Sequence, residues 1–202
     1  MNKVYIFGFS GHGKVVADIA ISCGYEIMGY IDDNNSDAKT FQLFLNEYGT
    51  KIKVAIGIGD NFSRRKVFNR LKAEGIEIVS LVHNKAIIGS NVQIGEGVVV
   101  MPGVIINANS KISDGAIINS GAIVEHDNKI GAFSHISPNV ALAGNVHVEE
   151  LSWIGIGTSV IQGITIGKEV VVGAGSVVIN NIENGLILAG VPAKQIESKS
   201  SE

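Results

Sequence analysis

Broken every six residues, positions 88–178 read IGSNVQ IGEGVV VMPGVI INANSK ISDGAI INSGAI VEHDNK IGAFSH ISPNVA LAGNVH VEELSW IGIGTS VIQGIT IGKEVV VGAGSV V. Every block opens on an aliphatic residue: Ile88, Ile94, Val100, Ile106, Ile112, Ile118, Val124, Ile130, Ile136, Leu142, Val148, Ile154, Val160, Ile166, Val172 and Val178. If roughly a third of residues were aliphatic, chance would give such a run far less than about once per million trials. A period of six matches neither the 3.6 of a helix nor the alternation of a strand. It fits a triangular parallel β-helix, in which a hexad makes one flat side and one corner and coils of about 18 residues stack over an aliphatic core. Glycine often follows the aliphatic position (Gly89, Gly95, Gly131, Gly155, Gly167, Gly173), which suggests corners of unusual φ/ψ there. The register never slips, so no long loop leaves the prism in this region.

The rest of the composition agrees. The 202 residues include 25 Gly and only 6% aromatics, as suits a core of Ile and Val. A net charge of -3 gives no broad attraction to nucleic acid or membrane. A single cysteine, Cys23, excludes an internal disulfide framework and fits a reducing compartment. The apolar start is too short for a secretion signal, and no run is long enough to span a bilayer, so a cytoplasmic protein is expected. The end, residues 197–202, is polar and expected to fray.

Ahead of the repeat, strand and helix alternate. Strands are expected over residues 3–8, 26–31, 51–58 and 76–81, and helices over 14–23, 40–48 and 62–74, the last with Asn61 as its N-cap. This predicts a small parallel α/β domain over residues 1–82 and a β-helix domain over residues 83–197, joined near residues 82–87.

Three turns in the first domain lie at carboxyl ends of strands, where parallel sheets collect ligands. Gly8-Phe9-Ser10-Gly11-His12-Gly13 joins a strand to a helix N-terminus, whose free N–H groups suit phosphate. Its spacing is not the dinucleotide fingerprint, which disfavours a nicotinamide cofactor. Asp32 and Asp33 close the second strand and Gly59-Asp60-Asn61 the third. A single such turn is often only a turn; three at one sheet edge favour a mononucleotide portion.

In the repeat, Glu125-His126-Asp127 marks a corner. An 18-residue coil stacks His126 between Ala108 and Gly144, small neighbours that leave the imidazole room to face a substrate. A neutral imidazole takes protons near pH 7, and Asp127 or Glu125 is placed to orient it. The same arithmetic sets His135 against Trp153, the single tryptophan, which lines either a cofactor groove or a subunit contact. Asn107 and Asn119 serve equally well as structural ladders. No cluster has metal-ligand spacing, so no metal is expected, and no nucleophilic triad is legible.

The hexad run, Glu125-His126-Asp127 with Ile130-Gly131, and the closing Gly190-Val191-Pro192-Ala193-Lys194 together resemble the hexapeptide-repeat acyltransferases. With residues 7–13, Asp32-Asp33 and residues 57–61, the chain resembles sugar acetyltransferases of the bacillosamine N-acetyltransferase and sialic acid O-acetyltransferase type, over residues 3–194. That resemblance implies a Rossmann-like first domain, a left-handed β-helix and a homotrimer with active sites between subunits. It implies acetyl-CoA as co-substrate and a nucleotide-linked amino sugar as acceptor. By position, His126 corresponds to the general base and Asp127 to the acidic residue that raises its basicity. Gly11, His12, Gly13, Asp32, Asp33 and Gly59 correspond to acceptor contacts. His135, Gly144, Ile156 and Ala174 correspond to coenzyme contacts, with the Gly144 N–H as an oxyanion donor; Ala174 stands where the family tends to have glycine. N-acetylation of the 4-amino group of a UDP-, dTDP- or GDP-linked sugar is the expected reaction. O-acetylation of sialic acid and a non-catalytic β-helix binding protein are the rivals.

Overall fold

The computed structural model describes residues 2–198; positions 199–202 of the polar end lie outside the described residues, and the backbone of residues 197 and 198 belongs to a closing strand. The chain opens with β1 (Asn2–Phe7), α1 (Gly11–Ser22), β2 (Tyr25–Ile31), α2 (Phe41–Tyr48), β3 (Lys53–Ile56) and α3 (Asn61–Ala73). The three strands form a parallel sheet in the order β2-β1-β3. The expected fourth strand is not one. Ile78 makes only a single bridge to Val54, and Leu81–Val82 leaves to pair with Val99–Val100 as the first rung of the prism. The pairing decides it, since Leu81 is fully buried in an apolar cluster that runs from the α/β unit into the prism. The helix caps are Ser10, Thr40 and Asp60, each accepting the N–H three residues on. Asp60 rather than Asn61 caps α3, which frees Asn61 to point elsewhere.

From Leu81 onward, two-residue rungs stack into three parallel sheets in 18-residue register, as in Ile117↔His135, Ala141↔Ser159 and Lys129↔His147. The repeated aliphatic side chains point inward and are buried from Val100 to Val178. At the far end the register shortens by two, with Val172 beside Leu188, and Lys194–Ser198 folds back antiparallel on Leu186–Ala189.

The corners differ from the sequence expectation. The left-handed residue of each hexad stands three places after the aliphatic one: Asn91, Gly97, Gly103, Asn109, Gly115, Gly121, Asp127, Phe133 and so on to Gly175. The glycines one place after it are needed for a different reason. A Cβ at Gly131 would come within 2.5 Å of the Glu150 N, and one at Gly89 within 2.8 Å of the Ala108 N, so they let the next coil approach. Asn and Gly tolerate positive φ; Phe133 and Leu151 do not do so readily. Both are buried in the core of the α/β unit, and Phe133 meets Phe68 of α3 edge-on at 5.3 Å. Packing across the seam offsets the local strain. No helix among the described residues is long and apolar enough to cross a membrane.

Candidate active site

His126 stands at a corner of the prism, largely exposed, with its Nδ1 2.8 Å from Asp127 Oδ2. The hydrogen bond from His126 is the chief cause that holds the Asp127 carboxyl below the usual carboxylate range. An ionised carboxylate only accepts, so Nδ1 carries the hydrogen, and in the neutral ring Nε2 holds the lone pair. Asp127 is itself at the left-handed position, φ 61°, one step from the imidazole in sequence. Asn109 Nδ2 donates to Asp127 Oδ1 at 3.4 Å, and Asn91 to Asn109 at 3.2 Å, each one coil apart. The corner ladder thus aims the carboxylate. Glu125 takes no part in it.

The ring lies across Gly144. A Cβ there would sit 2.6 Å from His126 Cε1 and 2.7 Å from Nε2. Gly144 is therefore paired with the base. Its N–H meets no backbone acceptor among the described residues, while its carbonyl accepts from Gly163. With Asn145, Gln162 and Gly163 these residues line one small recess.

His135 is elsewhere. It is nine residues, half a coil, from both His126 and Gly144, hence across the prism. Its ring stacks on Trp153 at 5.6 Å and 4°, and its Nε2 meets Asn119 Nδ2 at 3.0 Å. Trp153 Nε1 donates to Ser137 Oγ at 2.9 Å. His135, Trp153, Ile156 and Ala174 line a mainly apolar groove of about 520 Å³ with Pro138 and Val171. Three of the four expected coenzyme positions thus share one groove, and Gly144 does not. Asn119, which the sequence left as a ladder residue, orients the His135 ring: Asn119 Oδ1 accepts from Ser120 N, so its amide group donates to Nε2.

The third element is a groove of about 380 Å³ at the sheet edge, lined by Gly8, Ser10, Asp32, Asp33, Gly59 and Lys66 among others. Asp32 accepts from the Phe9 and Asn34 N–H groups, both at 3.0 Å, and so pins the glycine turn. Asp33 accepts from Phe41 N at 2.7 Å and pairs with Arg70 at 2.5 Å. In α1 the Gly13 N–H is already capped by Ser10, and Lys14 N bonds Ser10 O, which leaves the Gly11 and His12 N–H groups for an anion. The two glycines are glycine for opposite reasons. A Cβ on Gly13 would lie 2.0 Å from Gly8 O, whereas one on Gly11 meets nothing within 4 Å and its φ is ordinary. Gly13→Ala is expected to destabilise the fold by about 3 kcal/mol. Gly11→Ala is expected to leave Tm unchanged and to raise the acceptor KM about tenfold, because only a ligand needs that space. Parallel thermal melts and acceptor titrations separate the two; an unchanged KM for Gly11→Ala contradicts the anion assignment.

Between the two grooves lie His12, over Gly59, and His135, their rings 6.4 Å apart. Burial, then the charge of Arg64, lowers His12 to about 4 and His135 to about 3. Both are neutral at pH 7. Unfolded histidines protonate near 6.5 and these resist it, so the unfolded chain binds more protons in acid. Stability is full above about pH 6.5 and falls as the pH drops from there toward 4 and below. Melts from pH 7.5 to 4.5 check this, with a shallower decline expected for His135→Gln. Arg64 itself, absent from the sequence reading, is completely buried, and burial depresses it to about 9. The one signal for it was its place on the buried stripe of α3 with Asn61, Phe68 and Leu71. Among the described residues no group of three or more His, Cys, Asp or Glu is placed to hold a metal ion.

The chain is similar to several known proteins. A family model for the PglD N-terminal domain matches residues 3–71, and one for the bacterial transferase hexapeptide (six repeats) matches residues 85–120. The crystal structure of PerB from Caulobacter crescentus, in complex with CoA and GDP-perosamine, is 38% identical, covers 98% of each chain and superposes with a TM-score of 0.92. The acetyltransferase domain of PglB from Neisseria gonorrhoeae, in complex with acetyl coenzyme A, is 36% identical over 97% of this chain and 100% of that one, with a TM-score of 0.91. Galactoside O-acetyltransferase of Lactococcus lactis is 37% identical over 62 residues, 28% of this chain and 30% of that protein. The chain spans about a third or less of the length of the curated relatives it matches.

Proposed function

The chain belongs to the hexapeptide-repeat sugar acetyltransferases, and on that premise we propose that it transfers the acetyl group of acetyl-CoA to the 4-amino group of a nucleotide-linked amino-deoxy sugar in bacterial glycan biosynthesis. The observation that carries the reading is the His126–Asp127 pair, with Nε2 free and the ring laid against Gly144. The amine arrives mostly as an ammonium ion, which has no lone pair. His126 Nε2 takes a proton, Asp127 stabilises the imidazolium, and the freed amine attacks the thioester carbon. The oxyanion that forms needs a fixed donor, for which the Gly144 N–H is free. Collapse expels the coenzyme thiolate, which takes up a proton. No covalent enzyme intermediate is needed.

The Trp153 groove accommodates the pantetheine arm, and the Asp32–Gly59 edge the nucleotide, its phosphates on the Gly11 and His12 N–H groups. Because the base and the Trp153 groove lie half a coil apart on one prism, a site that uses both is built from two copies of the chain. A homotrimer with cyclic symmetry supplies such a site at each interface. Nucleotide-linked sugars are favoured over free sialic acid because a free sugar leaves the phosphate-binding turn unused.

The test is thioester consumption with acetyl-CoA against UDP-, dTDP- and GDP-linked 4-amino sugars and free sialic acid, with the product weighed by mass spectrometry. Acetylation of a nucleotide amino sugar on nitrogen is expected. Turnover of sialic acid alone, or of nothing in the panel, refutes the reading.

A further inference from the structure

Arg64 is among the largest fully buried side chains, and the acyl transfer as written does not use it. All of its N–H groups are engaged. Nε donates to Gly115 O at 2.7 Å; one terminal nitrogen donates to Gly59 O at 2.7 Å and Ile58 O at 3.2 Å. The other donates to Asn61 Oδ1 at 2.8 Å, Phe133 O at 2.7 Å and, more weakly, Ser134 O at 3.4 Å. These acceptors are main-chain carbonyls and one side-chain amide. Burying a guanidinium against neutral oxygens forfeits solvation that an apolar side chain would never have had. Simple docking of α3 on the prism is served by Phe68, Phe133 and Leu151, whose contact is apolar and weakly directional.

A guanidinium adds a rigid planar fork. Here it joins three separate pieces of chain: the turn after β3, the first turn of α3, and one corner of the prism over two successive coils. The turn carries Gly59, the edge of the acceptor groove and the floor under His12. The corner runs directly into His135, in the wall of the donor groove. Asn61 extends the tie, its Nδ2 donating to Leu151 O at 3.0 Å and Ser152 O at 3.3 Å on the next coil. Neither the α/β sheet nor the solenoid ladder fixes the two grooves relative to each other through its own hydrogen bonds. Arg64 and Asn61 do so across the seam.

We propose that Arg64 is a positioning residue that sets the acceptor groove at Gly59 against the donor groove at His135, so that amine and thioester are held in attack geometry. The inference rests on the transfer reaction proposed above. Each ligand is bound by groups on its own side of the seam, so loss of Arg64 should leave both affinities and remove the alignment. Its charge also helps keep His12 and His135 neutral, so a neutral replacement relaxes that seam as well.

The experiment compares native enzyme with Arg64→Met and Arg64→Lys, measuring kcat, the dissociation constant of CoA and that of the free nucleoside diphosphate. For Arg64→Met, kcat is expected to fall about 100-fold while both dissociation constants stay within about threefold of native. Arg64→Lys, with fewer and less rigid donors, should recover part of kcat. A purely structural role would lower active-site titre and both binding capacities together. Native-like kcat, or parallel loss of binding and turnover, overturns the proposal. If Arg64→Met does not fold, Asn61→Ala decides: kcat reduced at least about tenfold with binding intact supports it, and unchanged kcat overturns it. A native enzyme that turns over nothing in the sugar panel refutes the reaction itself, whereas an active native enzyme with an equally active Arg64→Met refutes only the positioning role.

Discussion

Replacing His126 with alanine is expected to lower kcat by about 10²- to 10⁴-fold and to leave the affinity for CoA nearly unchanged. The side chain is largely exposed and carries no part of the core, so the fold should not notice its loss. Its side-chain hydrogen bond is to Asp127, which sets the tautomer and stabilises the imidazolium but ties down no part of the core. The Trp153 groove lies across the prism and keeps its shape, which is why coenzyme affinity should survive. Steady-state kinetics beside calorimetric CoA titration check this. A His126→Ala enzyme with native turnover removes the base from the account.

Gly144→Ala is expected to be nearly as damaging, by about 100-fold in kcat, through a single methyl group. The backbone at Gly144 is not in the left-handed region, so alanine is tolerated there. The methyl, however, would lie 2.6 to 2.7 Å from the far side of the His126 ring. The ring is free to swing into solvent, so the clash is relieved at little cost in stability and at the expense of catalysis. Tm is expected to stay within about 2 °C of native. Native kcat in Gly144→Ala contradicts the packing of ring on glycine; a large fall in Tm contradicts the claim that only the ring moves.

Much of this was legible in the residues. The aliphatic hexads set the solenoid and its 18-residue register, and that register alone placed His126 beside Gly144 and His135 beside Trp153. Sequence also marked the strand ends that line the groove at the sheet edge. What it could not show was how the two units meet. The register runs along the solenoid and says nothing about which corner carries a helix. Phe133 and Leu151, bulky residues at positions of positive φ, were the trace of that docking, but the positive φ itself was assigned to the wrong place in the hexad. The glycines after the aliphatic residue are there for coil stacking, and Asn, Asp, Phe and Leu share the corners with glycine. Arg64 was hidden because a charged residue in a helix otherwise rich in Arg and Lys reads as solvated. The fourth strand, expected over residues 76–81, was misplaced because Leu81 fits an α/β strand and a solenoid rung equally well.

The division of labour across the prism is the central claim: the base comes from one copy of the chain and the donor groove from another. It is tested by co-expressing His126→Ala with Ala174→Trp, the second chosen to fill the exposed groove position, under two different tags. Each variant alone is expected to be inactive. In doubly purified mixed trimers one of three interfaces regains both a native base and a native groove, so turnover of about a third of native is expected. Mixed trimers no more active than the parents would contradict it.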